Sequence, residues 1–341
     1  MFPADWDYLI WIPRSPSADP LYRFTKGDKC GYIDQTGKIV IPPVLSYFGG
    51  NSGHEFHDGL LQIDVNGEYV DRAGRNVSEK DFFRGWDFSE GLALAARPGE
   101  KIWGYIDITG RFAISPRFDW AEAFQDGFAK IKIAGKVGYI DHSGKFVIPP
   151  QFRDGEPFKS GMARVVLDEP CSYPKNPCRY SFIDKSGRIL INQHYDDVRD
   201  FDEGLAPVRM GQRWGFIDVN GAVAVPPSFD GVEGFSEGLA VASSFEPGKN
   251  GVKIRRGYID HSGTYVISPQ YQYAESFAEG LAVVGDRESY WYIDHRGKRA
   301  ISGKFALASP FFKGLAHVAI AEGNTFAHID HGGKRVFVYK P

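Results

Sequence analysis

One short phrase returns along the whole chain: an aromatic residue, Ile, Asp, two free positions, then Gly. It occurs as Tyr32-Ile33-Asp34…Gly37, Tyr105-Ile106-Asp107…Gly110, Tyr139-Ile140-Asp141…Gly144, Phe182-Ile183-Asp184…Gly187, Phe216-Ile217-Asp218…Gly221, Tyr258-Ile259-Asp260…Gly263 and Tyr292-Ile293-Asp294…Gly297. Looser copies stand at Tyr69-Val70-Asp71…Gly74 and His328-Ile329-Asp330…Gly333. Successive aspartates are 37, 36, 34, 43, 34, 42, 34 and 36 residues apart. A period of this size marks a tandem array whose units cannot bury their apolar faces alone. It outweighs the length, since 341 residues would otherwise suggest two or three globular domains, whereas an array grows lengthwise.

Residues 213–242 serve as a reference unit. Trp214-Gly215-Phe216-Ile217-Asp218 is aromatic and β-branched, which suits a short strand. Asp218-Val219-Asn220-Gly221 fits a type I turn whose Gly takes positive φ and opens a bulged hairpin, with the Asp carboxylate accepting backbone N–H groups. Ala222-Val223-Ala224-Val225 is the return strand, and Pro226-Pro227 is expected to end it. A connection through Phe229 and Phe235 leads to a second turn at Glu237-Gly238 and a third strand, Leu239-Ala240-Val241-Ala242. Gly211-Gln212 turns the chain into this unit from the one before. Helical periodicity is absent, and 40 glycines and 21 prolines suit a turn-dense β protein.

The second turn recurs as Phe88-Ser89-Glu90-Gly91-Leu92-Ala93, Phe124-Gln125-Asp126-Gly127-Phe128-Ala129, Phe158-Lys159-Ser160-Gly161-Met162-Ala163, Phe201-Asp202-Glu203-Gly204-Leu205-Ala206, Phe277-Ala278-Glu279-Gly280-Leu281-Ala282 and Phe312-Lys313-Gly314-Leu315-Ala316. The Phe and the Leu-like residue repeat because neighbouring units bury them together. Each such aromatic contributes about 2–3 kcal/mol. The expected fold is all-β: about eight to nine three-stranded antiparallel units over residues 21–338, after an N-terminal segment 1–20 and before a tail 339–341. Leu21-Tyr22-Arg23-Phe24 matches a third strand, and Arg335-Val336-Phe337-Val338 a second strand with no third after it. These ends fit caps of an elongated, twisted solenoid, with a closed propeller-like ring as the alternative.

Trp-Gly, then Phe/Tyr-Ile-Asp-x-x-Gly-Lys, Ile-x-Pro-x-Phe and Phe-x-Glu-Gly-Leu-Ala together resemble the WG-repeat family across nearly the whole chain. The unit around Asp71 departs from the pattern, lacking Trp-Gly and the proline pair. The resemblance implies a bacterial source, a non-catalytic interaction role and, in some genomic settings, neutralisation of a toxin.

The net charge of −3 creates no strong pull toward nucleic acid or anionic membrane, and no apolar run is long enough to span a bilayer. Met1 to Pro13 lacks a basic lead-in and carries Asp5 and Asp7, unlike a signal peptide, so a cytoplasmic location is expected, or a periplasmic or secreted one if a leader has been removed. Three cysteines do not make a disulfide framework, although Cys171 and Cys178 share a Pro-rich insert that a bridge could pin. No nucleophile elbow, zinc-protease motif or phosphate loop occurs, so no catalytic residue, metal site or cofactor is assigned.

Candidate partner-binding residues come from repeated rows and from places where the repeat breaks. Glu122, Glu156, Glu233 and Glu275 each lie two before the recurring Phe. Glu90, Asp126, Glu203, Glu237 and Glu279 each precede the turn Gly, and the two rows would form an acidic strip or a solvated face. His142, His261, His295 and His331 follow the turn Asp and read as solvated hairpin tips. Trp86, Trp120 and Tyr273 lie in variable connections and suit interface anchors or packing between units. Irregular segments add the loop 46–57, residues 97–102, the Cys171–Cys178 loop, and the insert 244–256 with Lys253 and Arg255.

The main functional expectation is a protein-interaction scaffold. Its most concrete form is an immunity-type inhibitor that covers the active site of a toxin or secreted effector. The alternative is a glycan- or small-ligand-binding module, because aromatic-rich β arrays can stack sugars.

Overall fold

A computed structural model describes residues 20–46, 56–63, 68–77, 84–97, 99–167, 180–191, 195–248, 251–320 and 325–340. The N-terminal segment, most of the first-unit loop and the Cys171–Cys178 loop lie outside the described residues. Every regular element among the described residues is a β-strand. The fold is a tandem series of antiparallel sheets, mostly of three or four strands in chain order, none closed into a barrel.

The chain divides into two compact units, one of residues 1–135, 139–146 and 341, the other of 136–138 and 147–340. The first unit holds the sheet Tyr22–Lys26, Lys29–Ile33, Ile39–Ser46, and the pair Leu60–Gln62 and Tyr69–Asp71. It also holds Arg84–Ser89, Leu92–Ala96, Trp103–Asp107, Phe112–Phe118. In the second unit a representative sheet runs Asp197–Val198, Leu205–Met210, Arg213–Asp218, Val223–Phe229. Four further sheets there begin at Asp154, Gly231, Tyr273 and Leu307.

The three expected strands are present, but the sheet is phased differently from the reference unit and gains a short fourth strand. Met210 pairs with Arg213 across the Gly211-Gln212 turn, so Leu205–Met210 and Arg213–Asp218 are neighbours. Leu239–Gly248, assigned from sequence to the same unit, belongs to the next sheet, where it pairs with Gly231–Ser236. The chain changes sheets at Asp230, between Val223–Phe229 and Gly231–Ser236. Pro226-Pro227 does not end its strand, which continues to Phe229. The register shifts between Trp214 and Phe216, and the strand is at the sheet edge, where the missing proline N–H costs no ladder bond.

That bulge also explains the Gly of Trp-Gly. A Cβ on Gly215 would lie 2.4 Å from the Val225 carbonyl oxygen, so the bulged strand passes where a side chain would be. The Asp turn forms as expected: Gly221 N–H bonds the Asp218 carbonyl at 2.9 Å, and Gly221 has φ 81°. Asp218 Oδ1 accepts from the Asn220 and Ala222 amides at 2.9 and 2.8 Å. In the second turn both central residues have positive φ, 54° at Glu237 and 82° at Gly238, the type I′ geometry that matches strand twist.

The core lies between sheets. Trp214, Phe216, Val225 and Phe229 of one sheet pack with Val232, Phe235, Ala240 and Ile259 of the next. Leu94, Tyr105, Ile114 and Phe118 pack in the same way with Ala121, Phe124, Ile131 and Ile140. A lone sheet would expose this surface, which is why the array is cooperative.

Candidate functional site

Among the described residues seven occupy one repeat position: Trp86, Glu122, Glu156, Arg199, Glu233, Glu275 and Ser309, each two before a buried Phe. The last of those is Phe311, not the Phe312 that the sequence pattern placed in the row. The backbone at this position is held firmly. In the first unit the Tyr69 hydroxyl bonds the Trp86 carbonyl at 2.7 Å and Tyr105 the Glu122 carbonyl at 2.6 Å. In the second unit Tyr258 bonds the Glu275 carbonyl and Tyr292 the Ser309 carbonyl, both at 2.7 Å. Burial raises the Tyr105, Tyr258 and Tyr292 hydroxyls far above the usual tyrosine range, so they remain donors.

Where the aromatic is Phe182 or Phe216, no hydroxyl exists, and an arginine instead bonds the carbonyl one residue before the row position. Arg164 Nη1 bonds the Val198 carbonyl at 2.8 Å, and Arg199 Nη1 bonds the Val232 carbonyl at 2.7 Å. Arg199 also lies 2.6 Å from Glu233 Oε2 and over the Trp214 ring at 4.8 Å. Glu156 pairs with Arg164 at 3.1 Å. Residues 156, 164, 199 and 233 therefore connect successive sheets of the second unit in one polar row.

The other candidates fall as follows. Glu122 pairs with the buried Lys130 at 2.6 Å. Trp86 and Trp120 are 52% and 48% exposed, and Trp120 meets Trp103 edge-on at 6.5 Å between ring centres. Trp120 and Tyr273 both open a short first strand, two residues before the row. Tyr273 bonds the Glu275 carboxylate. Lys253 and Arg255 lie elsewhere, on the long hairpin of Leu239–Gly248 and Gly251–Ile259, where Arg255 bonds the Gln270 carbonyl at 2.8 Å. Reading the row for acids alone missed Arg199; aligning residues two before each Phe would have found it.

The other acidic row is largely exposed, as expected of a solvated face, but is not a free strip where its contacts are described. Glu90, Glu203, Glu237 and Glu279 accept from the amides of Gly127, Gly238, Gly280 and Gly314 in the following sheet, at 2.8 to 3.1 Å. The same carboxylates lie 3.0, 3.2, 3.4 and 3.3 Å from His142, His261, His295 and His331. Those four imidazoles stack on Phe124, Phe235, Phe277 and Phe311. The histidines expected as solvated tips are largely exposed and also form inter-sheet clasps. After the turn Gly, Arg75 and Arg188 pair with their own turn aspartates, Arg75–Asp71 at 2.7 Å and Arg188–Asp184 at 3.1 Å.

Among the described residues no group of three His, Cys, Asp or Glu could hold a metal ion, and no helix is long and apolar enough to cross a membrane. The clasps and the arginine contacts of the row recur along the array and join successive sheets.

An all-β chain of tandem antiparallel sheets with repeated Trp-Gly and Asp-x-x-Gly signatures defines a β-repeat protein. The chain belongs to the WG containing repeat family, whose model matches residues 31–69, 103–136, 138–169, 180–214, 214–243 and 257–286. No curated protein matches it by sequence. Its fold is similar to that in a crystal structure of the eukaryotic initiation factor, with TM-score 0.65 and 10% identity over 95% of this chain and 96% of that one. Weaker likenesses include apo AztD from Citrobacter koseri, TM-score 0.40 and 10% identity over 94% of each chain. Another is Kluyveromyces lactis Hsv2p, TM-score 0.38 and 11% identity over 62% of this chain and 74% of that one. At these identities the likeness is one of fold alone.

Proposed function

We propose that the protein is a non-catalytic binding module whose second unit takes a small polar ligand, a sugar or an organic ion, along the row 156–164–199–233–275. One observation carries this reading: a single repeat position has a pinned backbone and a changing side chain. Tyrosine hydroxyls or arginines fix the main chain there, while the residue itself varies among Glu156, Arg199, Glu233 and Glu275. Packing constrains the Phe two positions later, so variation beside it marks a position free to be shaped by a ligand. Carboxylates and guanidinium groups in one row, with Tyr273 beside Glu275, suit hydroxyl-rich or charged small molecules. A glycan array and a small-polar-ligand library, screened against wild type and Glu233→Gln, test the proposal. Hits weakened in the variant support it; hits indifferent to the variant, or none, count against it.

A second reading rests on the long hairpin. Phe245 and Ile254 are cross-strand partners and are 49% and 37% exposed. Lys253 faces Glu246 in the next pair. An exposed apolar pair beside charges is a docking tip for a protein, which keeps the toxin-inhibitor role as a proposal. Co-purification with the product of the adjacent gene, lost in Phe245→Ser, tests it; retention of an unaltered complex in that variant would remove the hairpin from consideration.

A further inference from the structure

Glu275 differs from its counterparts in what faces it. Three glutamates of the row donate their amides to a carbonyl eight residues on: Glu122 to Lys130, Glu156 to Arg164, Glu275 to Val283. In the first two cases the residue supplying that carbonyl also supplies a cation to the carboxylate, at 2.6 and 3.1 Å. Glu233 obtains its cation from Arg199 of the preceding sheet. At Glu275 the corresponding residue is the buried, apolar Val283. Among the described residues its carboxylate has no ion-pair partner, and its polar contact is the Tyr273 hydroxyl.

The surroundings are aromatic. Tyr273 and Tyr290 meet edge-on with ring centres 5.0 Å apart. Both pack against the cluster containing Val283 and Tyr292. Tyr258 bonds the Glu275 backbone carbonyl, and the carboxylate is close enough to Tyr258 and Tyr292 to raise their hydroxyl pKa values. Glu275, Tyr273 and Tyr290 are each partly exposed.

We propose that the Glu275 carboxylate with the Tyr273 and Tyr290 rings binds an organic cation, the ammonium or guanidinium group of a small ligand. The ligand supplies the charge that Lys130 and Arg164 supply in other repeats. A carboxylate attracts the N–H donors and the tyrosine faces attract the positive charge. A divalent metal would need several oxygen ligands, and a single carboxylate does not provide them. The proposal rests on the small-ligand reading of this row and narrows it to one chemical class. Burial holds Glu275 up at about 7, so binding a cation displaces a proton and strengthens as pH rises through that value. The titratable groups facing the carboxylate are Tyr273, Tyr258 and Tyr292.

The test is carbon-detected NMR of the glutamate carboxyl and tyrosine ring signals of the whole chain at pH 8. Methylguanidinium chloride and n-butylammonium chloride are titrated separately against sodium chloride at equal ionic strength. Saturable shifts at Glu275 and Tyr273 with either cation are expected, and which cation binds assigns its class. Glu275→Gln should weaken binding about tenfold or more. Val283→Lys, which places a lysine where Lys130 stands in its own sheet, should block the site. If that variant does not fold, Glu275→Gln decides alone. Shifts that fail to saturate, or that persist undiminished in Glu275→Gln or in folded Val283→Lys, overturn the proposal. Library hits that depend on Glu233 while both cations fail at Glu275 would sink this inference and leave the broader reading standing.

Discussion

His261 Nε2 lies 3.2 Å from the carboxylate of Glu203, which belongs to the preceding sheet and also accepts the Gly238 amide at 3.1 Å. The imidazole is stacked on Phe235, ring centres 4.2 Å apart. Glu203 holds φ 50°, a left-handed conformation unfavourable for a glutamate. A long carboxylate there reaches the neighbouring sheet, which accounts for Glu where Asn or Gly would be less strained. Glu203→Ala should lower unfolding free energy by about 1–2 kcal/mol. In a double-mutant cycle with His261→Ala the coupling should be about 0.5–1 kcal/mol and shrink in high salt. Urea titration measures both.

Two glycines should respond differently to alanine. Gly215 has no room, with the Val225 carbonyl oxygen 2.4 Å from where the Cβ would be. Gly211 has open space but φ 64°. Gly215→Ala should cost upwards of about 3 kcal/mol because backbone must move. Gly211→Ala should cost about 1 kcal/mol, the strain of a left-handed residue alone. Thermal unfolding of both variants ranks them, and an equal loss would show that the bulged strand yields easily.

The tyrosine hydroxyls and the arginines anchor adjacent carbonyls of the row. Tyr258→Phe leaves the Glu275 carbonyl without its donor and should cost about 1–2 kcal/mol. Arg199→Met removes the bond to the Val232 carbonyl, and adding Phe216→Tyr should recover part of the loss. A double variant no more stable than Arg199→Met would show that the two anchors are unrelated.

Stability should vary with pH at two places. Asp184 is held down at about 2, first by the Ser186 hydroxyl, below its ordinary value of 3.8. Its stabilising effect is therefore full above about 3.8 and disappears as pH falls through about 2. Glu275 is displaced the other way, from 4.5 to about 7, by burial. The folded state favours its protonated form, so that contribution is full below about 4.5 and disappears as pH rises through about 7. Urea midpoints of Glu275→Gln should lack the decline between those two values that wild type shows.

The repeat, both turns and the all-β class were legible because they depend on local chemistry: Asp218 with Gly221, or a Gly at positive φ after Glu237. Sheet phase was not, because Gly231–Ser236 reads as a connection although it is a strand that pairs with Leu239–Gly248 across the Glu237-Gly238 turn. The clasps were half visible. Glu203 and His261 each stood in a regular row, yet only the stacking of sheets brings two residues 58 positions apart together. Arg199 was hidden among glutamates because its row was searched for one charge rather than one position.

The most direct test of the binding row is calorimetric titration of the tightest library hit into wild type and into a Glu233→Gln, Glu275→Gln double variant of matched thermal stability. The account predicts that the variant loses at least about tenfold in affinity. Unchanged affinity in the folded variant would contradict it.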